Sequence, residues 1–256
     1  MELPSRYRVI ETRIAAVDLD DAVRLFLDAP ASGDRLRAHF CTTHTLVEAS
    51  GNPRLREALN HEHAIAAPDG MPLVWVGRAM RQPVGRVCGP DLMPLLIDRA
   101  RGQGARHFFY GGAPGVAKTL ASRLTERFPG LIVAGTHSPP FRRLTVDEDE
   151  AEVDLINAAR PDYVWVGLGS PKQDLWIADH RSKLDAAVLF AVGAAFDFHS
   201  GGLSRAPRWM QRTGTEWLFR LLAEPRRLAK RYTVTNTRFA VLLAGQILRR
   251  RPVRPD

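Results

Sequence analysis

Cysteine is scarce in this chain. Cys41 and Cys88 are the only two among 256 residues, far apart and in no metal-ligand spacing. A disulfide-stapled scaffold is thereby excluded, and a reducing cytoplasm fits. Long apolar runs are also missing. The longest near the end, residues 239–248, contains Gly245 and Gln246 and reaches about half of the ~20 residues that a spanning helix needs. Met1 is followed by Glu2, Pro4 and Arg6 with no apolar core, so no signal peptide is expected. No fixed-period repeat is visible. What remains is ordinary for a globular protein, 45% hydrophobic and 25% charged, with length enough for one large domain or a domain and an appendage.

Charge is unevenly placed. Residues 205–256 hold 13 Lys/Arg against 3 Asp/Glu, whereas residues 1–204 hold 23 against 25. A near-neutral body (1–204) with a basic helical C-terminal appendage (205–256) points to a polyanionic partner: anionic lipid, nucleic acid or a diphosphate.

Strand-like and helix-like stretches alternate along the body, so the fold class is α/β, with a largely parallel, Rossmann-like sheet flanked by helices. Residues 7–17 read as a strand or hairpin, followed by a helix from 22. Residues 39–43, 64–67, 107–112, 131–134, 163–167 and 187–192 read as strands, and 85–91 as a short strand and turn. Helices are expected over 45–49 and 55–60, 71–80 (fully buried), 92–101, to 128, 148–159 and from 172. Beyond 206 no strand is expected. Residues 213–230 pattern as an amphipathic helix that Pro225 breaks or restarts, suited to a lipid interface or to docking on the body with a solvated basic face.

The stretch that organises the rest is Tyr163-Val-Trp-Val-Gly-Leu-Gly169-Ser-Pro-Lys-Gln173-Asp. A buried strand turns through two glycines into a helix, the place where open α/β sheets bind ligands. A tight connection that needs two glycines explains the residues equally well. Gly111-Gly112 forms a second such turn. Asp69 and Asp197 stand as acids at strand ends, and Asp69 reads on position alone as either a helix cap or a catalytic carboxylate. The two Asp-x-Asp motifs, Asp18 to Asp20 and Asp147 to Asp149, each precede or open a helix and read as N-caps, so no metal is assigned. A dinucleotide fingerprint fails because Lys172 stands where the third glycine belongs and no acid ends a strand ~20 residues on. A nucleic-acid binder would explain the basic end but leaves the Gly-rich turns and strand-end acids without a purpose.

Several ordered blocks resemble one family. They are Pro68-Asp69-Gly-Met-Pro-Leu-Val-Trp, Arg86-Val-Cys-Gly-Pro-Asp91-Leu-Met, Phe-Tyr-Gly111-Gly112, Val-Gly-Leu-Gly169-Ser-Pro-Lys-Gln173-Asp, Val-Gly-Ala-Ala-Phe-Asp197-Phe, Arg205-Ala-Pro-Arg208-Trp-Met and Glu216-Trp-Leu-Phe-Arg220-Leu-Leu-Ala-Glu-Pro-Arg226-Arg227. Together they resemble the WecG/TagA/CpsF glycosyltransferases, glycosyltransferase family 26, over roughly residues 13–239.

The resemblance implies an inverting, metal-independent enzyme without a cofactor. It would move an N-acetylmannosamine-type sugar from a UDP-sugar to an acceptor on undecaprenyl diphosphate, at the inner face of a bacterial membrane. The same transfer to a non-lipid acceptor, or a non-catalytic UDP-sugar-binding subunit, are the alternatives. Asp69 is implied as the base. Arg86, Arg205, Arg208, Arg220, Arg226 and Arg227 are candidates for the departing diphosphate, and Asp91, Gly111, Gly112, Gly169, Gln173 and Asp197 line the donor site. A homo-oligomer is also implied, and no nucleic acid. One position departs: Thr42 stands where the family has Asn, losing the amide's paired donor and acceptor, with His44 as a further polar contact.

Overall fold

A computed structural model describes residues 2–207, 209–210, 215–223 and 225–249, with the side chains of 220, 223, 226–231 and 249 outside that description. Among these residues, eight strands and eleven α-helices follow one another. A hairpin of β1 (Arg6–Val9) and β2 (Thr12–Ala15) leads to α1 (Leu19–Ser32), β3 (Leu36–Cys41), α2 (Thr43–Gly51), α3 (Pro53–Asn60), β4 (Ala64–Pro68), α4 (Met71–Ala79) and α5 (Gly89–Ala100). Then come β5 (Arg106–Gly111), α6 (Val116–Arg127), β6 (Ile132–His137), α7 (Val146–Ala158), β7 (Tyr163–Gly167), α8 (Lys172–His180), β8 (Val188–Ala191) and α9 (Ala195–Ser200). The chain ends in α10 (Glu216–Ala223) and α11 (Pro225–Arg249).

β3 to β8 form one six-stranded sheet in the order β4-β3-β8-β7-β5-β6, every pair parallel. Strand alternation serves both faces, as a doubly covered sheet requires. Tyr163, Trp165, Val188 and Phe190 join one core with α1, α5 and α6. Their neighbours Val164, Val166, Leu189 and Ala191 join a second with residues of α7 and α8. Trp165 stacks on Phe190 at 4.2 Å, and its indole N–H donates to Nδ1 of His107. Burial pushes His107 down to about 3, so this imidazole is neutral in the core.

All six strands end at one edge, which collects the turns that sequence singled out. At β5 and β7 these turns touch. The Gly112 N–H donates to the Gly167 carbonyl at 2.9 Å, and a Cβ on Gly111, whose φ is +121°, would lie 2.6 Å from that same oxygen. Glycine here is a packing requirement as well as a conformational one.

Residues 7–17 are a hairpin. α1 begins at Leu19 and runs through Pro30, longer than its apolar pattern suggested. Asp18 caps it, accepting from the Asp21 N–H at 2.9 Å. The second Asp-x-Asp is not a cap: Thr145 caps α7 in a capping box with Glu148, while Asp149 pairs with His180 and Lys183. Residues 85–88 form no strand. They make isolated bonds, Gly85 N–H to Val17 and Val87 N–H to Pro68. β6 extends to His137, past the end of the expected strand at 134. α4 buries only Leu73, Val74 and Gly77; Trp75 is 57% exposed, so this helix is amphipathic rather than fully buried.

Pro225 restarts the helix, as a residue tolerated at a first turn does. The distal half of α11 lies on the body. Phe239 is buried with Leu46, Leu73 and Val74, with Leu242 and Leu243 packed alongside. Gln246 donates to the Arg8 carbonyl and accepts from the Ile10 N–H, tying α11 to the hairpin. No helix among the described residues is long and apolar enough to cross a membrane.

Replacing Gly111 by Ala adds a clash with the Gly167 carbonyl to an unfavourable φ, and is expected to cost about 1–3 kcal/mol. Gly51→Ala meets nothing within 4 Å and should be neutral or stabilising by up to about 1 kcal/mol. Thermal melts of the two variants compare them directly; equal midpoints would contradict the turn-packing account.

Candidate active site

Asp69 follows β4 directly, and the neighbouring strand end fixes its backbone. The Asp69 and Gly70 N–H groups both donate to the Cys41 carbonyl, at 2.9 and 3.1 Å. A Cβ on Gly70 would come within 3.3 Å of the Thr42 Cα, so the β3–α2 and β4–α4 turns are in close contact. α4 starts at Gly70 with no side-chain cap. The cap reading of Asp69 is therefore wrong, and its carboxylate is held elsewhere.

It is held by Arg86. Nε of Arg86 donates to the Asp69 carbonyl at 2.8 Å and to Oδ1 at 3.3 Å, and Nη2 reaches Oδ1 at 3.0 Å. Nη2 also donates to Oε2 of Glu216, at the start of α10, at 3.1 Å. Glu216 faces a second guanidinium, Nε of Arg205, at 3.5 Å. Arg205 in turn donates to Asp91 in the first turn of α5, and the Cys88 thiol donates to the other Asp91 oxygen at 2.9 Å. The result is an alternating chain, Asp69–Arg86–Glu216–Arg205–Asp91, in which three carboxylates share two guanidiniums.

Position along this chain sets the electrostatics. Burial raises Asp69 above the ordinary carboxylate range, and the Arg86 charge and hydrogen bond offset only part of that shift. Burial acts on Asp91 too, but the hydrogen bonds from Arg205 and Cys88 outweigh it and Asp91 lies below its ordinary value. Burial would lower Arg86 and Arg205, yet their acidic neighbours raise both, so both stay charged. Burial and the carboxylates of Asp69 and Asp91 raise the Cys88 thiol, leaving it a neutral hydrogen-bond donor. A carboxylate with a raised pKa, about one-fifth exposed and fixed at a strand end, can take a proton from an incoming hydroxyl.

The other predicted residues are spread more widely. The Gly169 N–H donates to Oε1 of Gln173 at 3.0 Å, and the Gln173 amide donates to the Ala191 carbonyl at 2.9 Å. Gln173 is thus buried and links the ends of β7 and β8. Beneath it, Ser170 donates to Asp174, whose other oxygen meets Nδ1 of buried His39 at 2.8 Å. Gly111 and Gly112 lie at the end of β5, four strand intervals from Asp69, about 19 Å at the usual spacing. Thr42 caps α2 in a reciprocal box with Thr45, so its hydroxyl is engaged in the fold. His44 lies half-buried in the first turn of α2. Asp197 does not end a strand; it lies within α9, past a turn that carries the chain off the sheet edge. Arg208 lies outside the described residues, as do the side chains of Arg220, Arg226 and Arg227.

Sequence reasoning missed Glu216 and Cys88 as site residues. Both stand inside the quoted blocks, but only the fold reveals that Glu216 reaches across 130 residues to Arg86.

Because Asp69 has a folded-state pKa above its unfolded one, it contributes stability that is present below the unfolded value and lost as pH rises through the folded value. Asp69→Asn is accordingly expected to match the wild type in melting temperature below the ordinary carboxylate range, to exceed it as pH rises through the folded-state pKa of Asp69, and to keep that margin up to pH 8. A variant less stable than the wild type at pH 8 would contradict this.

The sequence model of the glycosyl transferase WecG/TagA/CpsF family matches residues 7–253. Three relatives carry the name N-acetylglucosaminyldiphosphoundecaprenol N-acetyl-beta-D-mannosaminyltransferase. That of Bacillus spizizenii is 36% identical over 76% of this chain and 74% of its own length. The Bacillus subtilis protein is 31% identical over 68% and 67%. The Staphylococcus aureus protein is 26% identical over 90% and 91%. With its parallel sheet, its strand-end carboxylate and a match spanning nearly its whole length, the chain belongs to the WecG/TagA/CpsF glycosyltransferase family.

Proposed function

We propose that this chain transfers an N-acetylmannosamine-type sugar from a UDP-sugar to a sugar carried on undecaprenyl diphosphate, with inversion and with Asp69 as base. The step belongs to cell-surface polysaccharide or teichoic-acid synthesis. The relatives' names support the acceptor and the sugar. The observation that carries the chemistry is Asp69, a strand-end carboxylate raised by burial and oriented by Arg86.

In this reading the acceptor hydroxyl lies against Asp69. As its oxygen bonds to the anomeric carbon, its proton passes to the Asp69 carboxylate. The bond from that carbon to the diphosphate breaks, and UDP departs with the electron pair. Inversion follows from a single displacement with one base. The charge on the leaving diphosphate is met by fixed cations aimed at it, Arg86 and Arg205 among the described residues, so no step is routed through a metal. The distance from Asp69 to the glycine turns at β5 and β7 suits an extended nucleotide-sugar lying along the strand ends. Gly169 and Gln173 wall its middle, and the glycine turns approach its phosphate or nucleoside end.

Residues 1–204 act as the catalytic body, and residues 205–256 as the appendage that completes the site and docks to the inner face of the membrane. Support for docking comes from α10, where Trp217, Leu218 and Leu222 are 46%, 37% and 73% exposed within the arginine-rich part of the chain. Aromatic and aliphatic groups flanked by cations suit an anionic interface.

Two outcomes follow. Asp69→Asn should lower UDP release with UDP-N-acetylmannosamine and a lipid-diphosphate-linked N-acetylglucosamine acceptor by about 10²–10⁴-fold, with UDP binding preserved and the wild-type rate unchanged by excess EDTA; full turnover by the variant would remove Asp69 as base. Leu222→Asp should weaken sedimentation with phosphatidylglycerol vesicles without changing the melting temperature, and unchanged binding would remove α10 from the membrane-facing surface.

A further inference from the structure

Of the five members of the ionic chain, four belong to the folded body or the segment leading directly from it. Glu216 alone is carried by α10. Its two oxygens lie 3.1 Å from Nη2 of Arg86 and 3.5 Å from Nε of Arg205, and its side chain is 13% exposed. Two guanidiniums converging on one planar anion is also the arrangement that grips a phosphate. Asp69 and Asp91 already engage the same two arginines from behind. With Glu216 in place, three carboxylates oppose two guanidiniums, so a further dianion meets cations whose charge is fully answered.

We propose that the Glu216 carboxylate is a built-in stand-in for a phosphate of the donor. It holds Arg86 and Arg205 in their binding geometry and is exchanged for the diphosphate when donor binds, which frees α10 to move. The proposal rests on the reading of Arg86 and Arg205 as diphosphate ligands and adds the internal competitor to it.

Three features favour exchange over a permanent strut. Glu216 makes only one contact to each arginine, and the longer is at the limit of a hydrogen bond. A diphosphate carries more charge and more acceptor oxygens than a carboxylate, so it wins a direct competition for two guanidiniums. Trp217, Leu218 and Leu222 of α10 are exposed, so these three side chains do not tie the helix into the core. Displacing Asp69 or Asp91 would instead break groups fixed at the ends of β4 and the start of α5.

The coupling also has a direction. By holding the two arginines, Glu216 keeps them from collapsing fully onto Asp69 and Asp91, and its release ties donor binding to movement of the appendage. A ligand can shift such an equilibrium only by binding one arrangement better than the other, and here the difference is that the diphosphate and Glu216 cannot hold the arginines together.

The test is calorimetric titration of the full chain with UDP and, separately, with inorganic pyrophosphate, for the wild type and Glu216→Gln. Removing the competing charge should tighten both ligands roughly tenfold, the equivalent of about one charge-assisted hydrogen bond. A second readout needs no change at Glu216: saturating UDP should alter the emission of Trp217, isolated by difference against Trp217→Phe. Equal or weaker binding by Glu216→Gln, or an unchanged Trp217 signal at saturation, overturns the exchange and makes Glu216 a strut. Failure of the wild type to bind UDP overturns the donor assignment itself, and the exchange with it.

Discussion

The grip of Arg86 on Asp69 is the contact on which the rest of the site depends. One guanidinium holds both the carbonyl and the carboxylate of the same residue, and this fixes the proposed base in position and rotamer at once. It also keeps an otherwise buried carboxylate hydrogen-bonded, as a charge in this position must be. The fold supplies the rest. Parallel strands place Cys41 and Asp69 side by side, and the Cys41 carbonyl takes the Asp69 and Gly70 N–H groups just ahead of α4. The Val87 N–H returns to Pro68 and brings Arg86 alongside. Asp69 held in this way serves as no cap, and its raised pKa follows from burial that Arg86 only partly offsets.

The glycine turns serve a different end. Gly111 lets β5 and β7 approach so closely that a Cβ there would collide with the Gly167 backbone, whereas a Cβ on Gly112 would meet the Val116 side chain and one on Gly167 the Phe196 ring. Gln173 then spans from the Gly169 N–H to the Ala191 carbonyl, so the turn after β7 is bound to the end of β8. Asp69, the proposed base, lies at the end of β4 on the outer flank of the sheet, and the glycine turns lie nearer its middle. The stretch from Tyr163 to Asp174 is therefore proposed to organise the donor site without touching the base.

Much of this was legible in sequence. Strand-helix alternation gave the parallel sheet, and the order of the blocks marked Asp69, Arg86, Asp91 and Arg205, which the fold does bring together. Local patterns failed where long-range contacts decide. Residues 85–88 look extended, but they meet the edge strand β4 at its last residue, where the Val87 N–H donates to the Pro68 carbonyl, and form no ladder with it. Met71 to Met80 is apolar enough to suggest full burial, yet Trp75 faces outward from a helix that covers the core with one side. Asp197 follows a strand in sequence, but the intervening turn places it in a helix. Thr42 could be recognised as a departure from the family's Asn; that its hydroxyl closes a capping box with Thr45 could not. Glu216 carries no local signal at all, because its meaning lies in two arginines distant in sequence from one another.

The appendage has a dual character for the same reason. Phe239 and Gln246 bind its far end to the helices and hairpin of the body, whereas α10 contributes one carboxylate to the site and presents apolar side chains outward. An element anchored at one end and engaged with the site at the other is suited to report on what the site holds. The central claim, a single displacement driven by one strand-end carboxylate, is tested most directly by the anomeric configuration of the product. Proton NMR of the lipid-linked disaccharide formed from a UDP-sugar of known configuration should show inversion. Retention would require a covalent or second-nucleophile route and would contradict the role given to Asp69.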